Sequence, residues 1–466
     1  RTHHALLLFL ALTTCSFFTS GQTRIIAPVE RAGFAHVTSY DSLQAFLTLI
    51  SNTPGFRVEK VATTRLGRSV SAVMISSAPP FGSDAMRLRV LLFAQQHGDE
   101  PAGKEALTLL LAKLASTRNS TWTNRLDILI VPQMNPDGAE IRRRRTSDTI
   151  DLNRNHVLLT SPETRGLHDL FNQWKPEVTL DMHEYSSSRA WTDSGMVKTA
   201  DVQLGMLTHP NTPERIRQMQ HQNVYPFIAS EVVRQGYLFQ EYIVGSPDSR
   251  IRHSTTEIND GRQSFGILNS LSFIQEGRKW AGLEDTLQRR ARSHLASVEA
   301  LLEYCSQHAA EIRSLIASER SKLLKAQGTN VALRMEHVSG TAQSVIPVFN
   351  LHTKKDTVWT IAPYHSVVQS RLSTIVPAAY VVPKHLTSVL DLLRRHHVTM
   401  KEVSAERSVR AEVCTLDSVS VEDLEETPMA KPHVHSTKTT AILHPGDMMI
   451  RTKLLQSLFV AIVLEP

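Results

Sequence analysis

Four short apolar runs, three of them closing on polar side chains, constrain this chain more than any other feature of it. They are RLRVLLFAQQH (87–97), ILIVPQM (128–134), VTLDMH (178–183) and SLSFIQE (270–276). A nearly unbroken run of Val, Leu, Ile and Phe is the pattern of a strand buried on both faces. Such strands need helices to cover them. EALTLLLAKLA (105–115) and SPETRGLHDLFNQW (161–174) have the amphipathic spacing for that task. In the second, Ser161 can cap and Pro162 can occupy the first turn. Residues 29–325 therefore read as one layered α/β domain.

The rest of the chain is read by contrast with these runs. Residues 186–262 lack strand rhythm and carry several Gly and Pro, which predicts loops and short helices over the sheet edge. From Leu283 to Leu324, helical spacing of Leu287, Ala291, Leu295, Val298, Leu302, Cys305, Ile312 and Leu315 predicts one long helix or a helix pair. After Gly328 the rhythm turns to β pieces (VIPVFN, VWTI, AAYVV) with one helix near 385–396 and a final strand-like LFVAIVLEP. Residues 329–466 thus read as a smaller, β-rich accessory domain.

Composition excludes more than it assigns. A hydrophobic share of 41%, a charged share of 21% and a net charge of +6 describe an ordinary globular chain. That charge is too small to point to nucleic acid, and no aromatic–basic interleaving strengthens it. The run Arg142–Arg145 reads as a solvated turn. Residues 1–22, with a basic start, a short apolar stretch and small residues, read as a secretory signal peptide. Lipoprotein anchoring through Cys15 is the lesser alternative, because Thr14 fits that pattern poorly. Export to a periplasm or the exterior is expected, and no later stretch is long and apolar enough to span a bilayer. Cys305 and Cys414 then remain; export permits a disulfide between them, but their spacing does not indicate one.

The pair His97-x-x-Glu100 is weak when taken alone. It follows a buried strand, however, and α/β sheets bind ligands at the carboxyl ends of their strands. His183 closes another such run. Two histidines and one glutamate leave the fourth position of a tetrahedral zinc open for water, the catalytic arrangement. Glu276 closes a third run and could serve as general base beside the metal. Beyond the turn Asn-Pro-Asp-Gly (135–138), DLNRN (151–155) offers Asn153 and Arg154, and an arginine fork suits a substrate carboxylate. Most of the other histidines, His433 and His435 among them, are expected in polar loops without metal.

The ordered set HGDEPAGKEAL, NPDG, RRT-x4-DLNRN, LDMH and SFIQEGR, within residues 40–280, resembles the zinc carboxypeptidase family typified by carboxypeptidase A, in its exported bacterial form. The resemblance implies a mixed, mostly parallel central sheet with helices on both faces. It implies one zinc per chain on His97, Glu100 and His183, Glu276 as catalytic glutamate, and Asn153 and Arg154 on the substrate's terminal carboxylate. Arg144, seven residues before Asp151, matches the oxyanion arginine, with Arg143 and Arg145 as alternative registers. Asp151 matches the aspartate that orients the first zinc histidine. The implied partner is a peptide with a free C-terminus, with neither nucleic acid nor a membrane span involved. One departure stands out. The family's substrate-capping tyrosine has no counterpart in TEINDGRQSFGILNS, which offers only Phe265; Tyr242 and Arg262 are the nearby candidates. The region after Gly328 resembles accessory domains of some bacterial members, in which the chain continues past the point matching Pro466. Two other readings compete: a zinc deacylase of N-acyl amino acids on the same scaffold, and a non-catalytic peptide-binding relative.

Overall fold

The computed structural model describes residues 24–117, 121–279, 287–424 and 427–466. The signal reading of residues 1–22, Cys15 included, and the start of the helical stretch at Leu283 lie outside the described residues. The unbroken apolar runs become the centre of an eight-stranded sheet. Its strands are β1 (Phe56–Thr63), β2 (Ser69–Ile75), β3 (Leu88–Ala94), β4 (Leu126–Val131), β5 (Val178–Tyr185), β7 (Val202–Gly205), β8 (Phe239–Glu241) and β9 (Leu271–Arg278). The order is β1-β2-β4-β3-β5-β9-β7-β8. Parallel pairing joins β4, β3, β5 and β9, while β1, β2 and β7 enter antiparallel. The sheet is mixed, with its parallel strands central and buried, as double coverage by helices requires.

One face packs against the helices Ala102–Ser116 and Leu287–Gln307. The other packs against Pro162–Trp174 and Gly261–Gly266, where Phe265 stacks on Phe171 with ring centroids 4.4 Å apart. Burying side chains of this size contributes about 1.5–3 kcal/mol each, which accounts for Phe265 as a core residue. The expected helical stretch is a pair, Leu287–Gln307 and Ala309–Leu323. Ser161 does sit at the start of Pro162–Trp174, but its hydroxyl bonds Glu163 and caps no backbone amide. The turn Asn135–Gly138 opens a short helix, capped by Asn135 Oδ1 on Gly138 N at 2.8 Å.

Two readings are corrected. Residues 186–262 contribute β7 and β8 to the main sheet as well as β6 (Met196–Lys198); runs of three or four residues are too short to show a period. The last apolar run is a helix, Ser457–Leu464, since a short, wholly apolar run fits either structure. Its Phe459, Val460 and Ala461 bury in the same core as Phe171 and Leu167.

The C-terminal region is a set of small antiparallel sheets. β10 (Asn330–Val338) pairs with β13 (Val367–Ile375), and β11 (Ser344–Asn350) with β12 (Lys355–Ile361). β14 (Ala379–Val382) and β15 (Lys401–Glu402) flank β18 (Met448–Arg451). β16 (Arg407–Leu424) and β17 (Thr427–Leu443) form a long ribbon. β11 also pairs with β6, so a C-terminal strand extends over the α/β layer. Cys305 is buried and Cys414 exposed, and both are free thiols. No helix among the described residues is long and apolar enough to cross a membrane.

Candidate metal and peptide site

The carboxyl ends of β3, β5 and β9 meet in an open cleft of about 640 Å³. Chain reversal after β3 depends on Gln95, held at a left-handed φ of 56°. A non-glycine residue there persists only where its surroundings hold it. Its amide donates to Gly98 O at 3.0 Å. Gly98 is needed for a different reason. A Cβ on it would lie 2.2 Å from the backbone of Gly138. The turns HGDE and NPDG are therefore packed backbone to backbone.

That packing brings together three of the expected residues. His97 Nδ1 lies 2.9 Å from Glu100 Oε1, His183 Nδ1 lies 3.0 Å from Glu100 Oε2, and the two Nδ1 atoms are 3.1 Å apart. All three side chains are buried. They form the one cluster of metal-ligating type among the described residues. Burial opposes charge on His97, but Glu100 and Asp151 outweigh it and raise the imidazole's affinity for a proton. Burial likewise opposes the charge on His183, and Asp181 and Glu100 raise it well above its ordinary value. Glu100, despite its burial, is held well below the carboxylate range by the two histidines. Lone pairs that draw a proton this strongly draw a metal cation by the same field. The donor set, two imidazoles and a carboxylate, fits zinc.

One carboxylate organises the flank of this cluster. Asp151 accepts from His97 Nε2 at 3.1 Å, from Arg144 Nε at 3.0 Å and from the backbone of Asn153 at 3.0 Å. Half-buried and surrounded by these donors, it is held far below its usual value. The arrangement places Arg144 Nη1 3.2 Å from His97 Nδ1, while Arg145 turns away to Thr149 O. Asn153 Oδ1 accepts from Gly261 N at 2.9 Å, and Arg154 Nη1 donates to Asn153 O at 2.8 Å. Both residues line the cleft. Behind them, Gln96 joins Asp181 (2.8 Å) to His156 (2.9 Å). Asp181 Oδ1 in turn lies 3.0 Å from His183 Nε2, within ion-pair range but out of line for a hydrogen bond.

Glu276 lies beside His183 in the register of β5 and β9, so both side chains leave the same face. Burial pushes its carboxyl up to about 7. A cation beside it would lower that value. Tyr242 lines the cleft, partly buried. Arg262 also lines it, but is locked to Asp260 (3.1 Å) and Met206 O (3.1 Å). A locked guanidinium cannot swing over a substrate.

The histidine expectation is corrected. His156, His168, His294 and His396 are buried, and His156 Nδ1 lies 3.0 Å from His168 Nε2. They fall within helical or polar-looking stretches, so spacing gave no sign of their burial. Lys198 and Trp191 also line the cleft, and no motif in the sequence marks them.

The fold and the cluster define an α/β domain with a candidate metal site at the carboxyl ends of its parallel strands. Residues 43–230 match the model of the zinc carboxypeptidase family. Carboxypeptidase 2 of Trichophyton tonsurans is 30% identical over 226 residues, covering 47% of this chain and 42% of that protein. Human carboxypeptidase Z is 30% identical over 155 residues, covering 28% and 24%. The chain spans less than half the length of these curated relatives. Among solved structures, a metallo-carboxypeptidase from Burkholderia cenocepacia aligns at 21% identity with a TM-score of 0.45, covering 57% of this chain and 69% of that one.

Proposed function

We propose that this protein is a zinc metallocarboxypeptidase that removes the C-terminal residue of exported or extracellular peptides. The observation that carries the reading is the meeting of His97, Glu100 and His183 with Glu276 in a cleft that also holds Asn153 and Arg154. Zinc on the three ligands would polarise the scissile carbonyl and make water a better nucleophile. Glu276, as a carboxylate, takes a proton from the attacking water and returns it to the leaving nitrogen as the C–N bond breaks. Arg144, steered by Asp151, supplies a charged donor for the developing oxyanion. Asn153 and Arg154 hold the terminal carboxylate and so set which bond is cut. The family match ends before Glu276, so its role as base rests on geometry and burial.

Peptide pairs that differ only in C-terminal amidation test the reading. A charge-assisted contact contributes about 1.5–3 kcal/mol, and Arg154 facing a neutral amide would bear an added desolvation cost. Free C-termini should be preferred at least about 100-fold, since each 1.4 kcal/mol is tenfold. Arg154→Ala should remove most of that preference without changing zinc content. Equal cleavage of both peptides by the parent would point to an endopeptidase or a deacylase instead.

A further inference from the structure

Lys198 is a cation to which the catalytic reading gives no substrate contact, although its charge is felt by Glu276. It lines the cleft yet is 7% exposed. Its ammonium lies 4.7 Å from the ring centroid of Tyr185 and 5.5 Å from that of Trp191. It makes no hydrogen bond or ion pair with any described residue. The other cleft cations are largely engaged: Arg262 with Asp260, Lys279 with Asp99, Arg144 with Asp151. The one charged neighbour of Lys198 among the described residues is the Glu276 carboxylate, which acts on it through space without an ion-pair contact, and a buried charge so weakly paired is costly. A substrate anion arriving there would relieve the cost.

The position of Lys198 says which part of the substrate that anion belongs to. Asp181, His183 and Tyr185 alternate along β5 and so face one side. Asp181 is tied through Gln96 to Asn153, which belongs to the carboxylate clamp. Tyr185, at the opposite end, carries Lys198. Clamp and lysine therefore sit towards opposite ends of the β5 face that carries His183, with Glu276 beside it in register. An extended peptide advances about 3.3–3.6 Å per residue. A peptide with its terminal carboxylate on Arg154 and its last peptide bond at the metal cluster would extend its upstream side chain towards the Lys198 end of the cleft.

We propose that Lys198 is a specificity residue that selects an acidic side chain immediately upstream of the scissile bond, and that the β11–β12 hairpin holds it in place. The hairpin's part is visible in register and packing. Lys198 pairs with Val348 of β11. Trp191 packs in a cluster with Ile346, Val348 and Ile361, and Trp359 meets its ring edge-on at 5.5 Å. Burial pushes the ammonium down to about 8, with the nearby Glu276 carboxylate acting in the opposite direction.

The inference rests on the carboxypeptidase reading, and its test separates the two. The zinc-loaded full chain is given N-acetylated Ala-X-Leu with X as Glu, Gln or Lys. The expected kcat/KM for Glu exceeds that for Gln about tenfold or more, as a charge-assisted contact implies, with Lys lowest. Lys198→Gln should bring the Glu/Gln ratio close to one, Lys198→Glu should turn the order towards Lys, and Lys198→Arg should keep the parental order. A purely structural lysine would lower the melting temperature of these variants and leave the ratio unmoved, which overturns the proposal. Equal cleavage of Glu and Gln peptides by the parent overturns it without any variant. Cleavage of none of the three peptides overturns the carboxypeptidase reading, and this proposal with it.

Discussion

The parallel centre of the main sheet and the C-terminal region are both rich in β structure, yet they are built on opposite terms. Nearly every residue of β3, β4, β5 and β9 is buried, and each strand pairs on both sides within one sheet. The strands β12 and β13 are mostly exposed, and the C-terminal sheets hold two or three strands each. A strand end fixed by two neighbours and two covering layers can hold a side chain to the tolerance that chemistry requires. A small exposed sheet cannot do so alone. It can still lend one strand to a neighbour, as β11 does to β6. On this comparison, damage at the strand ends should strike chemistry, and damage in the C-terminal region should strike stability or selection.

Glu276→Gln is the strongest challenge to the first half of that contrast. The amide keeps the shape but cannot take the proton, so turnover should fall by about 10²- to 10⁴-fold with metal content unchanged. Steady-state rates beside metal analysis check it, and near-parental turnover in a zinc-loaded variant would break the assignment. Asp151→Asn should come next. Loss of such a partner to a metal-ligating histidine commonly costs about 10–100-fold in metal affinity, measurable by competition with a chelator. The melting temperature should move little by comparison.

Acid should act at the seam between the two regions. His156 and His168 belong to the α/β part and His396 to the C-terminal part, and the rings of His168 and His396 lie 5.4 Å apart. Burial lowers all three, with His156 and His396 brought to about 4 and His168 well below its usual value. The unfolded chain therefore binds protons first. Stability is full above about 6.5 and falls as pH drops from there towards about 4, by up to a few kcal/mol. Urea midpoints across that range should fall less steeply for His168→Leu than for the parent; an equal slope would place the acid sensitivity elsewhere. Trp359→Ala should have the smallest effect. It removes the ring that meets Trp191, so the Glu/Gln preference should shrink a few-fold while metal affinity stays parental. A loss of metal there would blur the division between the regions.

Reading from sequence succeeded where residues act through short spacing or unbroken burial. His97 and Glu100 are three residues apart at a strand end, so their proximity is legible from spacing even though packing against residues 135–138 fixes the turn. The parallel strands are legible because burial on both faces writes a continuous apolar run. The family resemblance singled out His183, Glu276 and the segment from Arg144 to Arg154, which the fold gathers around the same cleft.

Tertiary structure decided what depends on neighbours distant in the chain. Three adjacent arginines look alike in sequence; only Asp151, which grips Arg144 by its Nε, turns that one to the cluster. Arg262 could pass for a mobile cap until Asp260 and Met206 are seen to hold it. The final apolar run carries no period, and packing against the Phe171 core made it a helix. Lys198 sits in an unremarkable three-residue strand, 150 positions before the Val348 it pairs with. Its environment is assembled from β5, Trp191 of the short helix Arg189–Asp193 and a C-terminal hairpin. No local pattern could encode that, because burial and charge pairing are properties of the assembled layers rather than of any one segment.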